Sequence, residues 1–252
     1  MNASVINGLR AAATLLLVCA GATAVAQQPA TTRYVVQVTQ LKPDRVDEWR
    51  ALQQNEVNPA LKKAGVASRT VLETIFGERP EFVTIREVKS FAEFDGQGLL
   101  QAALGEKAAA ALGAKLQACE VSTLRYIANR QDEFNLGKTD APIRATVWYR
   151  INQGAAPLYR AFLRDDIIPL NKKALEAGKI AGYSVTILGQ GAPEAGLWSQ
   201  TTYLPNLAAL DAGGIAGQVL GDAGAQAQGA RAAQLRATVR ALVRRRIPEL
   251  SY

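Results

Sequence analysis

Trp49-Arg50-Ala51-Leu52-Gln53-Gln54-Asn55-Glu56-Val57-Asn58-Pro59-Ala60-Leu61-Lys62-Lys63-Ala64 returns, 110 positions later, as Tyr159-Arg160-Ala161-Phe162-Leu163-Arg164-Asp165-Asp166-Ile167-Ile168-Pro169-Leu170-Asn171-Lys172-Lys173-Ala174. The aromatic residue, the Arg-Ala pair, the proline and the Lys-Lys-Ala ending stay in register. In the first copy Val46, Trp49, Leu52, Val57, Ala60, Leu61 and Ala64 recur at three- and four-residue steps, which predicts an amphipathic helix with one buried face. Lys62 and Lys63 suit the negative end of that helix, and Gly65 stops it. A proline inside a helix removes a backbone hydrogen bond, so Pro59 and Pro169 predict a kink that both copies share.

Outward from the first copy, Tyr34–Leu41 alternates with β-branched residues and predicts a strand. Strands follow over Val66–Phe76 and Glu81–Lys89. Ser90 and Glu93 match a capping box ahead of an irregular helix broken at Gly105, and Cys119–Ala128 closes the unit as a strand. The order is β-α-β-β-α-β. The polar, aperiodic residues 130–141 read as a linker, and the same order then repeats from Arg144 to Arg245. Leu104-Gly105-Glu106 returns as Leu220-Gly221-Asp222 at an offset of 116, so the second copy carries insertions. Repeats at this spacing mean one supersecondary unit used twice.

The expected organisation is a secretory signal peptide over 1–26, a first α+β repeat over 33–129, a linker over 130–141 and a second α+β repeat over 142–252. Arg10, the apolar run Ala11–Ala20 and Ala24-Val25-Ala26 form the signal, with cleavage after Ala26 and a periplasmic or secreted destination. The apolar run is shorter than the ~20 residues a spanning helix needs, so no membrane span is expected after cleavage. Val18 before Cys19 argues against a lipid-attachment site. Cleavage leaves Cys119 as the single cysteine, so the fold must stand without an internal disulfide, and Cys119 is expected to be a buried small hydrophobe. It also leaves a net charge of +6, which favours anionic partners.

This order, with the duplicated helix and the Leu-Gly-acid motif, resembles the dimeric α+β barrel superfamily, and in particular proteins like the antibiotic-biosynthesis monooxygenases and the NIPSNAP type. The resemblance covers about Arg33 to Tyr252 and lies at the level of fold. It implies an α+β chain whose two tandem ferredoxin-like repeats pair sheet to sheet as an intrachain pseudo-dimer. The superfamily includes monooxygenases, isomerases, decarboxylases and haem enzymes, so the fold leaves function open.

The functional surface expected from this arrangement is the cavity between the two bare sheet faces. If Val36 and Val38 face the helices, Gln37 and Thr39 face the cavity. In the second copy the apolar row Ala145, Val147, Tyr149 and Ile151 turns Arg144, Thr146, Trp148 and Arg150 inward. Arg125 and the row Arg240, Leu242 and Arg244 should point the same way. Arg125, Arg144, Trp148, Arg150 and Arg240 are therefore the candidate ligand-binding residues: guanidinium forks for a carboxylate and an indole wall. The arginines have Glu73, Glu87 and Glu120 as available partners.

The chain contains no histidine. That removes the Ser-His-Asp and Cys-His nucleophiles, a histidine-ligated haem and the common histidine-containing zinc sites. No phosphate-binding loop or dinucleotide fingerprint is present, and Gly96-Gln97-Gly98 reads as a helix break. Asp165-Asp166 on the duplicated helix point about 100° apart and read as a solvated face, and Glu106 and Asp222 read as helix caps. No cofactor, no metal and no nucleic-acid partner is expected. The expected partners are an anionic small molecule and a second copy of the chain. Two functions compete: an exported binding module using the intersheet cavity, and a cofactor-independent monooxygenase-like or isomerase-like enzyme in which Trp148 and Arg150 position an anionic aromatic substrate.

Overall fold

The computed structural model describes residues 30–252, so the predicted signal peptide lies outside the described residues. In chain order the elements are β1 (Thr31–Leu41), α1 (Val46–Leu52), α2 (Asn58–Lys63), β2 (Thr70–Thr74), β3 (Glu81–Glu87), α3 (Leu99–Leu104), α4 (Glu106–Cys119), β4 (Glu120–Gln131), β5 (Leu136–Gly137), β6 (Ile143–Ile151), α5 (Ala156–Phe162), α6 (Ile168–Glu176), β7 (Gly182–Leu188), β8 (Trp198–Leu204), α7 (Ile215–Leu235) and β9 (Arg236–Arg246).

The strands run β4-β1-β3-β2-β9-β6-β8-β7, and β7 pairs back onto β4, which closes an eight-stranded antiparallel barrel. β5 adds to β7 outside this ring. Pairing within each half is long, as along β1 and β4 from Thr31↔Gln131 to Leu41↔Glu120. The two seams between halves are short: Leu72–Thr74 against Arg244–Arg246, and Ala128–Arg130 against Thr186–Leu188. Helices cover the outside. Trp49, Leu52, Val57 and Leu112 pack on Val71 and Phe82, with the Trp49 and Phe82 rings 4.8 Å apart. Tyr159 and Phe162 do the same on Trp198, which Tyr159 meets edge-on at 5.3 Å. Burying each of these aromatic side chains contributes roughly 1.5–3 kcal/mol.

The duplicated helix carries a second irregularity beside its proline. A π-helical turn, Gln53–Val57 in one copy and Leu163–Ile167 in the other, precedes it. The Asn58 N–H reaches back five residues to the Gln53 carbonyl, and the Ile168 N–H to that of Leu163. The widened turn absorbs the hydrogen bond that proline cannot make, and the chain continues in helical conformation.

Two further expectations change. Cys119 ends α4 instead of opening a strand, though it is fully buried, and burial pushes its thiol up. Residues 130–141 do not form a free linker. β4 runs on to Gln131, Phe134 is buried in the second half's core, and β5 pairs with β7. There Gly137 and Gly182 face each other so closely that a Cβ on either would lie 2.4 Å from a backbone oxygen. At the other end of the chain Leu250 enters the first half's core, and Tyr252 exchanges backbone hydrogen bonds with Arg69. No helix among the described residues is long and apolar enough to cross a membrane.

Candidate functional site

Two cavities matter. The first lies inside the barrel and has a volume of about 150 Å³. One wall is apolar and comes from the first half: Val36, Leu72, Val83, Tyr126 and Ala128. The other is polar and comes from the second half: Thr146, Ser184, Thr186, Ser199 and Thr201. Arg144 on β6 faces Arg244 on β9 across the strand pair, and Trp148, four residues along β6, completes the lining.

Of the candidate ligand residues, Arg144 and Trp148 line this interior. Arg240 is exposed but stacks on the Trp148 ring at 4.5 Å, at the mouth beside Leu242. Arg244, the next inward residue on β9, donates to Thr74 Oγ1 at 3.2 Å and to Glu81 Oε1 at 3.0 Å, and lies 5.4 Å from the Trp148 ring. Arg150 is at the exposed rim and is held by Glu194, so it does not join Trp148 at a common site. Glu73 pairs with Arg50 and not with any of the candidate arginines.

Arg125 faces outward, and with it the first-half register is inverted. Val36 lines the interior, while Val35, Gln37 and Arg125 lie on the helix side. Thr39, expected to face the cavity, is fully buried in the strand row that carries Leu41. Sequence alternation misassigned this strand because both of its faces are buried.

Gln37 and Arg125 enter a second and larger cavity of about 560 Å³, between the first half's sheet and its helices. Gln37 sits opposite Thr84 on β3 and opposite Arg125 on β4, so the three form a polar row across the floor. Arg125 Nη2 donates to Gln37 Oε1 at 2.9 Å, and Gln37 Nε2 donates to Thr39 Oγ1 at 3.3 Å. The walls include Val57, Leu61, Leu99, Leu100, Leu116 and Phe94. Arg86 also lines it, tied to Glu93 at 3.0 Å. Glu93 is held below the usual carboxylate range by hydrogen bonds from the Lys89 N–H and Arg86, against an opposing effect of burial.

At the deep end stands Arg69, only 6% exposed. Its guanidinium donates to Asn58 Oδ1 at 2.5 Å and to Gln53 Oε1 at 2.6 Å, two amide oxygens and no carboxylate. Burial lowers Arg69 to about 10, with Tyr252 opposing. Gln53, Asn58 and Arg69 escaped sequence reading. Gln53 and Asn58 belong to the duplicated helix, where a polar residue reads as a solvated position.

The corresponding face of the second half is filled. Tyr159 Oη accepts from Gln200 Nε2 and from Arg236 Nη1, each at 2.7 Å, and Arg236 lies 3.5 Å from the centre of the Tyr149 ring. Burial raises the Tyr149 and Tyr159 phenols. The halves therefore differ in side chains at this face: Gln37 and Arg125 in one, Tyr149 and Arg236 in the other. Among the described residues no cluster of three or more acidic or cysteine side chains is placed to hold a metal.

Closed barrel, outer helices and an open cleft define a single chain with the dimeric α+β barrel fold. A candidate monooxygenase from Fusobacterium nucleatum subsp. nucleatum superposes with a TM-score of 0.54 at 8% identity, covering 86% of this chain and 93% of that one. An anthrone oxidase-like protein gives 0.52 at 11% identity, over 86% and 91%. A candidate chlorite dismutase gives 0.52 at 10% identity, over 86% and 96%. These similarities establish the fold. No protein-family model matches the sequence. No curated protein matches it either.

Proposed function

We propose that this chain is a cofactor-independent, monooxygenase-like enzyme, and that its substrate is an acidic aromatic bound in the first-half cleft. The observation that carries this is the cleft itself: about 560 Å³ open under α3 and α4, with Arg125 and Arg69 in its lining. That volume lies within the ~300–1,000 Å³ of small-molecule sites. Arg125 has no carboxylate partner among the described residues, and Arg69 meets only amides, so the cleft favours a substrate oxyanion. Glu93 is committed to Arg86, which leaves Glu120 as the cleft carboxylate free of a cationic partner among the described residues. Glu120 would take the substrate proton, Arg125 would hold the resulting oxyanion, and the electron-rich anion would supply the electrons to dioxygen.

The test is oxygen uptake with anthrone. Its oxidation consumes one O2 per molecule, leaving one oxygen atom in the quinone and the other in water. Protein-dependent uptake should fall about 10²-fold in Arg125→Ala. A rate equal to the protein-free rate, or unchanged in Arg125→Ala, sinks the assignment.

The finer organisation belongs to the same reading. Residues 33–129 and 142–252 are proposed to be tandem ferredoxin-like units. The strand orders β4-β1-β3-β2 and β9-β6-β8-β7, the paired π turns and the left-handed Gly105 and Gly221 support this. Export to a periplasmic or extracellular location is proposed from Arg10 to Ala26 alone.

A further inference from the structure

Arg144 is 8% exposed and sits inside the barrel with no carboxylate near it. Its Nη2 donates to the Thr139 carbonyl at 2.8 Å, the Tyr203 ring lies 5.1 Å away, and its Nε has no partner. The other interior arginine on this face is compensated, since Arg244 has Glu81. Arg130, which lines the same cavity, has Asp132 at 2.7 Å. Burial lowers Arg144, Tyr203 works against this, and Arg246 and the facing Arg244 add to it. An isolated buried charge is among the costliest arrangements a fold can hold, and one that persists at the wall of a cavity is suited to a counter-ion from solution.

The cavity's chemistry says which counter-ion. Beside Arg144 stand hydroxyls that already satisfy one another: Thr146 with Thr201 at 3.0 Å, and Ser184 with Tyr203 at 3.1 Å. Each hydroxyl keeps further hydrogen-bonding capacity. The opposite wall, Leu72, Val83 and Ala128, offers hydrocarbon. We propose that the barrel interior is a second binding site that takes a short monocarboxylate, its carboxylate on the Arg144 guanidinium and the hydroxyls, its short chain against Leu72 and Val83. The volume of about 150 Å³ limits it to a few heavy atoms, so this site is separate from the cleft in both place and ligand size.

The experiment is a thermal-unfolding titration at constant ionic strength with formate, acetate, butyrate, benzoate and, as a neutral control, butyramide. Wild type should be stabilised saturably, with butyrate above formate and butyramide inert. Arg144→Met should lose that response. Ala128→Leu, which fills the cavity from the apolar wall and keeps the arginine, should lose it too, so the result does not depend on Arg144→Met folding well. Arg125→Ala should keep it, because that residue lies in the outer cleft. Stabilisation no greater than chloride gives, or a response retained in Ala128→Leu, overturns the proposal. A response lost in Arg125→Ala alone assigns the carboxylate to the outer cleft and equally overturns it.

Discussion

Replacing Glu81 by Gln should loosen the barrel along one seam. Glu81 Oε1 receives Arg244 Nη2 at 3.0 Å and the Thr74 hydroxyl at 2.7 Å, and Thr74 sits opposite Arg244 where β2 meets β9. Both side chains of the ion pair are largely buried, 7% exposed for Arg244 and 16% for Glu81. At that separation and an effective dielectric constant of ~20, the attraction is about 5 kcal/mol. Breaking such a pair from one side leaves a buried charge and costs about 3–5 kcal/mol. For a domain of this size each kcal/mol moves Tm by roughly 2–4 °C, so Glu81→Gln should lower Tm by about 10 °C. Replacing both partners, Glu81→Leu with Arg244→Met, should recover most of the loss, because no unpaired charge remains. Urea unfolding followed by tryptophan fluorescence suits the measurement: Trp148 lies 5.4 Å from the Arg244 guanidinium and reports on the seam. A loss below about 1 kcal/mol in Glu81→Gln, or a double variant worse than the single one, refutes the argument.

Other perturbations separate equally well. Gly182→Ala places a Cβ 2.4 Å from the Lys138 carbonyl and should cost about 1–3 kcal/mol, whereas Gly113→Ala, in open space on α4, should gain about 0.5–1 kcal/mol; a pair of urea titrations decides it. Tyr126, Tyr159 and Tyr183 are raised by burial, Tyr183 well above 10. Their neutral forms suit the fold, so stability is fully present below pH 10 and falls above it, as the unfolded chain ionises first. Absorbance at 295 nm should show these phenols ionising only with unfolding; smooth titration of every tyrosine near 10 would contradict their burial. Cys119 should resist a thiol reagent at neutral pH in the native protein and react on unfolding. Mass spectrometry of the exported protein should find Gln27 at its N-terminus, and a chain retaining Arg10 would refute cleavage after Ala26.

The inner row of β6 was legible as far as Trp148, where the register shifts, and that of β1 was not, for a reason visible in β1. On β6 the outer row Ile143, Ala145 and Val147 is apolar and the inner row carries Arg144 and Thr146, so alternation has one solution. On β1 the inner row Tyr34, Val36 and Val38 is as apolar as a helix-facing row, and Gln37 and Thr39 sit beneath the helices. A strand buried on both faces gives alternation no solvent side to refer to. The polar lining of β7 and β8 was within reach, since Ser184 and Thr186, and Ser199 and Thr201, repeat at two-residue steps. The cleft was not, because it depends on α3 standing off the sheet, which pattern does not encode. The π turns were equally hidden: the proline was plain, but the backbone had two ways to accommodate it.

The segments carrying Phe134 and Leu250 each leave the half that precedes them and lodge in the core of the other. Such crossed arms make the two halves hostage to each other. Cutting between Lys138 and Asp140 would yield a first fragment that holds the second fragment's plug and lacks its own. Neither should fold in isolation. Mixed together they should reassemble as a unique heterodimer, with no tendency to pair like with like, because each arm fits only the opposite core. A barrel built this way is protected against swapping with its neighbours by the same exchange that, between separate chains, would cause it.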